Sequence, residues 1–201
     1  MKEQFILASA SPRRSELLKS IGVDFKVVVS DADESIINPE EISPDLYVQE
    51  LALIKAAATA KKVIRNKNAV IISADTVVTA DGIILGKPKD EADAFNMLSM
   101  LSGRGHEVYT GFCVMRIRDG KAVCKSVKTE VYFKELTDDK ICRYVDTGEP
   151  MDKAGAYGIQ GLGGILVDKI IGDYQNVVGL SVSALSDGLE NEFEINIIQR
   201  G

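Results

Sequence analysis

Two long strand-like segments, 106–118 and 121–133, flank the dipeptide Asp119-Gly120. An Asp-Gly pair between two such segments favours a tight antiparallel hairpin. The rest of the chain alternates shorter strand patterns with helical ones, which is typical of an α/β protein. Because a purely parallel, doubly wound sheet contains no such hairpin, the sequence predicts an α/β fold with a mixed sheet and flanking helices.

Two Ser-Pro pairs mark helix starts, because each places a capping residue before a proline at the first helical position. The helix after Ser11-Pro12 is expected to end at Gly22, and the helix after Ser43-Pro44 is expected to reach about Arg65. Further strands are predicted at 5–8, 25–29, 69–78 and 165–171. Further helices are predicted at 90–101, 137–148 and 181–189, and residues 150–164 form a glycine-rich loop.

Composition narrows the class of protein. The 201 residues contain no repeat, low-complexity segment or linker, so we expect one domain over 1–201. A net charge of −6 argues against nonspecific binding to nucleic acid or anionic membranes, and no apolar run reaches the ~20 residues of a membrane span. The cysteines are odd in number and lack C-x-x-C spacing, which favours a reducing, cytoplasmic compartment. The single histidine, His106, is expected to be structural.

The first helix carries two arginines, Arg13 and Arg14, where the helix dipole favours acidic residues. One interpretation is that both side chains point to solvent. The other is an anion site, in which free backbone N–H groups, the hydroxyls of Ser9 and Ser11 and two guanidinium groups surround a phosphate.

Asp75 lies inside an apolar strand pattern, where an unpaired carboxylate is costly to bury. It is either a satisfied structural carboxylate, a metal ligand or a general base. Glu34 lies in an acidic loop with Asp31 and Asp33. That loop is either simply solvated or supplies a second carboxylate to a hard cation.

Lys55 interrupts an apolar helical stretch, and Lys87 lies in a Gly-Lys-Pro sequence. Each is either an ordinary surface lysine or a partner of the arginines. In the glycine-rich loop, Gln160 offers both a donor and an acceptor that suit the edge of a nucleobase. The chain contains no G-x-x-x-x-G-K-[ST] sequence, so a P-loop is excluded.

Together these segments resemble the Maf family of nucleoside triphosphate pyrophosphatases. The resemblance rests on 9–14 (SASPRR), 73–78 (SADTVV), 86–88 (GKP) and 152–161 (DKAGAYGIQG), in the expected order between about residues 5 and 190. The last segment resembles the branch that acts on dTTP and UTP. The resemblance implies a strongly curved mixed sheet, a substrate cleft between two lobes, and hydrolysis of a pyrimidine nucleoside triphosphate to the monophosphate and diphosphate. It also implies a role in nucleotide pools, with a link to septum formation.

The resemblance also implies residue roles. Asp75 matches the catalytic proton acceptor, and Arg13, Thr76 and Gln160 match positions associated with substrate choice. Other matching cleft residues are Ser9, Arg14, Glu34, Lys55 and Lys87. A divalent cation, Mg²⁺ or Mn²⁺, is expected on carboxylates that include Glu34 and Asp75. Whether the protein forms a homodimer is left open by the sequence. The alternatives are a non-catalytic nucleotide-sensing regulator of cell division, a 7-methyl-GTP pyrophosphatase, and an inosine-triphosphate-type pyrophosphatase, against which Gln160 and its loop argue.

Overall fold

A computed structural model describes residues 3–198. Seven strands are present in this range: β1 (Gln4–Leu7), β2 (Phe25–Val27), β3 (Ala69–Ala80), β4 (Ile83–Leu85), β5 (Gly105–Arg116), β6 (Ala122–Phe133) and β7 (Val167–Ile171). The α-helices in the same range are α1 (Pro12–Ser20), α2 (Pro44–Val63), α3 (Glu91–Leu101), α4 (Asp138–Val145), α5 (Tyr174–Val178) and α6 (Val182–Phe193). Four short 3₁₀ helices complete the description: Glu34–Ile36, Glu149–Asp152, Ala154–Ala156 and Gly161–Leu166.

The predicted helix starts are confirmed. The Ser11 side chain accepts a hydrogen bond from the Arg14 backbone N–H, and Pro12 opens α1. Pro44 likewise opens α2, although the Ser43 side chain makes no capping hydrogen bond. The chain leaves α1 through Gly22, which has a φ of 72° that glycine adopts without strain.

The strands form one mixed sheet, as the hairpin predicts. Its order is β2-β1-β3-β5-β6-β7, and β4 pairs with β3 beside that path. β1 pairs in parallel with β2 and β3, whereas the pairs β3–β4 and β6–β7 are antiparallel. The predicted α/β class is therefore confirmed.

The hairpin turn is longer than the predicted tight turn at Asp119-Gly120. Arg116 N–H donates to Lys121 O over 2.9 Å, so four residues lie between the closing pair. The Asp119 carboxylate explains the difference, because it ion-pairs with Arg116 and accepts from Lys121 N–H at 3.2 Å. These contacts stabilise the wider loop.

The chain folds into two compact units. The first contains the chain up to Asp75, Thr110–Val127 and the chain from Gly179, and the second contains Thr76–Tyr109 and Lys128–Val178. Each has its own buried cluster. In the first unit α2 packs on the sheet through small residues such as Ala52 and Ala56, and in the second unit α3 and α4 contribute Leu98 and Ile141. Whether 1–201 is one functional domain stays a prediction.

Within residues 3–198, none of the helices has the length and apolar character that a membrane crossing requires.

Candidate active site

Lys55 links the two carboxylates predicted as metal ligands. Its ammonium donates to Asp75 Oδ1 over 2.5 Å and lies 3.1 Å from Glu34 Oε2. The side chains of Lys55 and Asp75 are only 13% and 15% exposed, whereas that of Glu34 is 52% exposed. The three residues therefore form one charged cluster that is half-buried on one side and open to water on the other.

A buried contact between α2 and β3 positions this cluster. Ser73 Oγ donates to the backbone carbonyl of Ala52 over 2.6 Å. Ser73 and Asp75 share a face of β3 because side chains alternate along a strand, and Ala52 and Lys55 share a face of α2 because they are three residues apart. The contact therefore fixes the helix at the height where Lys55 reaches Asp75.

Arg14 lies near the same cluster. Its Nε donates to Gly179 O over 2.9 Å, and a terminal nitrogen donates to Ser9 Oγ over 3.2 Å. Burial lowers the pKa of Arg14, the negative charge of Asp75 acts to raise it, and the positive charge of Arg13 lowers it further. Arg14 therefore belongs to the electrostatic surroundings of Asp75, and Arg13 lies close enough to Arg14 to act on it.

Tyr47 is a member of this group that the sequence did not reveal. Its helical spacing indicated only the apolar face of α2. Burial raises the pKa of its phenol, and the negative charges of Asp75 and Glu34 raise it further. A half-buried phenol that two carboxylates influence can donate a hydrogen bond in the candidate site, and no sequence signal distinguishes it from a core tyrosine.

In the second unit, the structure brings the segment of Lys87 to the glycine-rich loop. Gly155 N–H donates to Gly86 O over 3.0 Å. Gly155 has a φ of 66°, and a Cβ there would lie 2.9 Å from Val78 of β3. A larger residue would push the loop away from the strand, so the glycine is required for this contact. Lys87 itself is exposed.

Gln160 is exposed and precedes the 3₁₀ helix Gly161–Leu166 as its N-cap residue, but its side chain makes no capping hydrogen bond. Thr76 is half-buried and follows Asp75 directly in β3. The two residues belong to the second unit, together with Lys87.

His106 has the predicted structural role. It is 3% exposed, and its Nε2 lies 2.7 Å from the hydroxyl of Tyr157. Phe133 packs edge-on against both rings. Since Tyr157 belongs to the glycine-rich loop, this aromatic cluster supports the loop from beneath.

The described residues contain no group of three or more histidine, cysteine or acidic side chains arranged to hold a metal ion. What they contain is a pair of carboxylates, Asp75 and Glu34, joined to one ammonium. Such an arrangement can accept a proton on a carboxylate oxygen and can exchange its ammonium contact for another anion.

A family model described as Maf-like protein matches residues 4–192. The chain is 51% identical to the dTTP/UTP pyrophosphatase of Acetivibrio thermocellus, covering 98% of each chain. It is 50% identical to the dTTP/UTP pyrophosphatase of Alkaliphilus metalliredigens, covering 98% of this chain and 100% of the relative.

A search of solved structures finds a similar fold in the Ham1 protein of Staphylococcus aureus. The TM-score is 0.50 at 16% identity, and the match covers 98% of this chain and 93% of the other. At that identity the likeness concerns the fold alone. The family match spans both units and includes every segment on which the resemblance rests. The chain therefore belongs to the Maf family.

Proposed function

We propose that this protein hydrolyses pyrimidine nucleoside triphosphates, with dTTP and UTP preferred, to the monophosphate and diphosphate. The observation that carries the proposal is the charge arrangement of the first unit. A carboxylate with little solvent exposure, Asp75, lies against the ammonium of Lys55 and interacts electrostatically with the guanidinium of Arg14. The protein is net acidic, yet it gathers cations around one carboxylate, and a triphosphate with close to four negative charges requires such a concentration of positive charge. The names of the relatives, given above, support the same substrates.

The proposed reaction begins with a water molecule that attacks the α-phosphorus. A new P–O bond forms to the water oxygen, the bond from the α-phosphorus to the bridging oxygen breaks, and diphosphate leaves with that electron pair. Asp75 accepts the proton that the water loses. The positive charges of Arg13, Arg14, Lys55 and Lys87 would neutralise the phosphate oxygens, which otherwise repel the nucleophile.

Lys55 has a second part in this scheme. Its ammonium occupies Oδ1 of Asp75, the carboxylate proposed to accept the proton. An ammonium has three N–H donors, and phosphate oxygens compete for them. When a triphosphate binds, Lys55 would turn toward it, and the oxygen of Asp75 that Lys55 had occupied would become available to the water.

The donor set fits a divalent cation of the Mg²⁺ or Mn²⁺ type. Mg²⁺ is commonly bound by one or two carboxylates together with substrate phosphates and water, and Asp75 and Glu34 supply two carboxylates on one cluster. When bound, such an ion would neutralise charge on the phosphates and polarise their oxygens.

Substrate choice is assigned to Gln160, with Thr76 and Arg13 as further selecting residues. Uracil and thymine present an N3–H donor between two carbonyl acceptors, which one carboxamide can read by accepting from the first and donating to the second. Cytosine reverses this pattern at N3 and C4. Because the Gln160 side chain is exposed and does not cap its own helix, its carboxamide is available for this role.

A cytoplasmic location, a homodimer and the absence of nucleic-acid partners stay predictions.

The test is a panel of nucleoside triphosphates, assayed for diphosphate release with and without Mg²⁺. We expect dTTP and UTP to be hydrolysed fastest, with loss of activity in excess EDTA. Preference for ATP or 7-methyl-GTP would contradict the proposed recognition of uracil and thymine. Binding without turnover of any nucleotide would favour the sensing regulator instead.

A further inference from the structure

Glu149 caps a helix that begins twelve residues further along the chain. The first turn of the 3₁₀ helix Gly161–Leu166 leaves backbone N–H groups without partners inside the helix, and an N-cap side chain usually accepts from them. Gln160, the N-cap residue, does not do so. Glu149 does: its Oε2 accepts from Leu162 N–H at 3.1 Å, and its Oε1 accepts from Gly163 N–H at 3.0 Å.

The carboxylate is itself held in place. The hydroxyl of Tyr144, which is 5% exposed, donates to Glu149 Oε1 over 3.0 Å. Burial acts to raise the pKa of Glu149, but the two backbone donors, the Tyr144 hydroxyl and the charge of Lys153 outweigh it, so the pKa is lowered. Glu149 is therefore an anion at neutral pH, which makes these hydrogen bonds charge-assisted.

The glycines of the loop are what allow this contact. A Cβ at Gly161, which has a φ of 70°, would lie 3.0 Å from Glu149 Oε2. A Cβ at Gly163 would lie 2.3 Å from Gly158 O and 2.6 Å from the Tyr144 hydroxyl. Glycine at these two positions therefore lets the loop pack closely against the carboxylate.

From these contacts we infer that Glu149 is a positioning residue for substrate choice. Glu149 caps the start of this helix in place of Gln160 and thereby fixes the backbone on the C-terminal side of Gln160. The Gln160 carboxamide is then free to contact the nucleobase. The inference rests on the proposed function, because it gives Glu149 an effect only through the residue proposed to read the base.

The experiment compares UTP with CTP, which share a triphosphate and a ribose. We expect Glu149→Ala to lower the ratio of kcat/KM for UTP over CTP by roughly tenfold, because a displaced carboxamide no longer pairs correctly with uracil. The effect should lie mainly in KM. Glu149→Gln, which keeps an acceptor oxygen, should fall between Glu149→Ala and the wild type. Glu135→Ala, at an exposed glutamate of the same unit, is the matched control and should leave the ratio unchanged.

A double-mutant cycle with Gln160→Ala separates positioning from general damage. If Glu149 acts through Gln160, adding Glu149→Ala to Gln160→Ala should not change the UTP-to-CTP ratio further. A full additional loss would overturn the inference, as would equal losses for UTP and CTP in Glu149→Ala. Should Glu149→Ala fail to fold, Glu149→Gln takes its place in the cycle.

The two proposals fail differently. No diphosphate release from UTP by the wild-type protein contradicts the proposed function itself. Normal wild-type turnover with a Gln160-dependent ratio that Glu149 variants do not alter contradicts only the inference about Glu149.

Discussion

Asp75 and Lys55 show how one contact can serve both folding and chemistry. Their pairing over 2.5 Å offsets the cost of placing a carboxylate in the apolar stretch of β3. Of the interpretations that the sequence leaves open, a satisfied carboxylate and a general base are therefore compatible, since the partner that stabilises Asp75 is a group that phosphate can attract.

Replacing Asp75 with asparagine tests its role as proton acceptor. The carboxamide oxygen still accepts from Lys55, so we expect the fold to survive, whereas the loss of the base should lower kcat by about 10² to 10⁴. Steady-state diphosphate release and thermal unfolding would be measured together. Asp31→Asn, at an exposed acidic residue paired with Lys62, serves as control and should keep its activity. Wild-type turnover in folded Asp75→Asn protein contradicts the assignment.

Replacing each of the two arginines of α1 should have different effects on stability but the same effect on activity. Arg14 donates to Gly179 O and Ser9 Oγ, so Arg14→Ala leaves two acceptors without this donor and should lower the free energy of unfolding by about 1–2 kcal/mol. Within residues 3–198 the Arg13 side chain makes no hydrogen bond or ion pair, so Arg13→Ala should leave stability unchanged. Both variants should lose triphosphate turnover, measured as kcat/KM. Normal kinetics in either variant would assign that arginine to solvent or to the fold.

The roles of individual residues were predictable from the sequence where the chemistry of the surrounding segment explains them. Ser11 caps α1, and His106 is structural, because each acts within its own segment or core. The meeting of Glu34, Lys55 and Asp75 was not predictable from spacing, since it depends on the packing of α2 on the sheet. The presence of Tyr47 in the candidate site was not predictable for the same reason.

At the scale of elements, long periodic segments were predicted well and short ones were not. The β5–β6 hairpin and α2 have several repeats of their hydrophobic pattern. In contrast, the five-residue helix α5 and the 3₁₀ helices of 149–166 contain at most two turns, so no period can be read from them. Contacts such as those of Glu149 define these short elements, and such contacts are absent from a linear pattern.

The compactness of the 158–164 loop gives a prediction at this scale. Gly163→Ala should force the loop open, because its Cβ would meet a backbone oxygen at 2.3 Å, and should lower both the unfolding free energy, by about 1–3 kcal/mol, and the preference for UTP. Gly120→Ala, at a hairpin position with φ of 71° and no atom within 4 Å, is the matched control. It should show backbone strain of about 1 kcal/mol without a change of preference. Equal substrate preference in both variants contradicts the argument.

At the scale of the whole molecule, the buried His106 makes the stability of the protein depend on pH. His106 is 3% exposed, and its Nδ1 has no hydrogen-bond partner among the described residues. Burial, and secondarily the charge of Arg104, lower its pKa from 6.5 to about 4. The folded protein therefore holds His106 neutral, whereas the unfolded chain binds a proton near pH 6.5. The contribution of His106 to the free energy of unfolding is fully present above pH 6.5 and is lost as the pH falls toward 4.

Between pH 7.5 and 4.5 the wild-type protein should thus lose about 2–3 kcal/mol of unfolding free energy through His106 alone. Carboxylates also titrate in this range, so the measurement is a difference: denaturant unfolding at both pH values, for the wild type and for His106→Gln, which keeps a donor for Tyr157 and does not titrate. The variant should lose less stability on acidification by that amount. If the two units unfold in separate transitions, the difference should appear only in the transition of the unit that contains His106. Equal losses in both proteins would mean that His106 binds a proton in the folded state as readily as in the unfolded chain, which contradicts a neutral, buried His106.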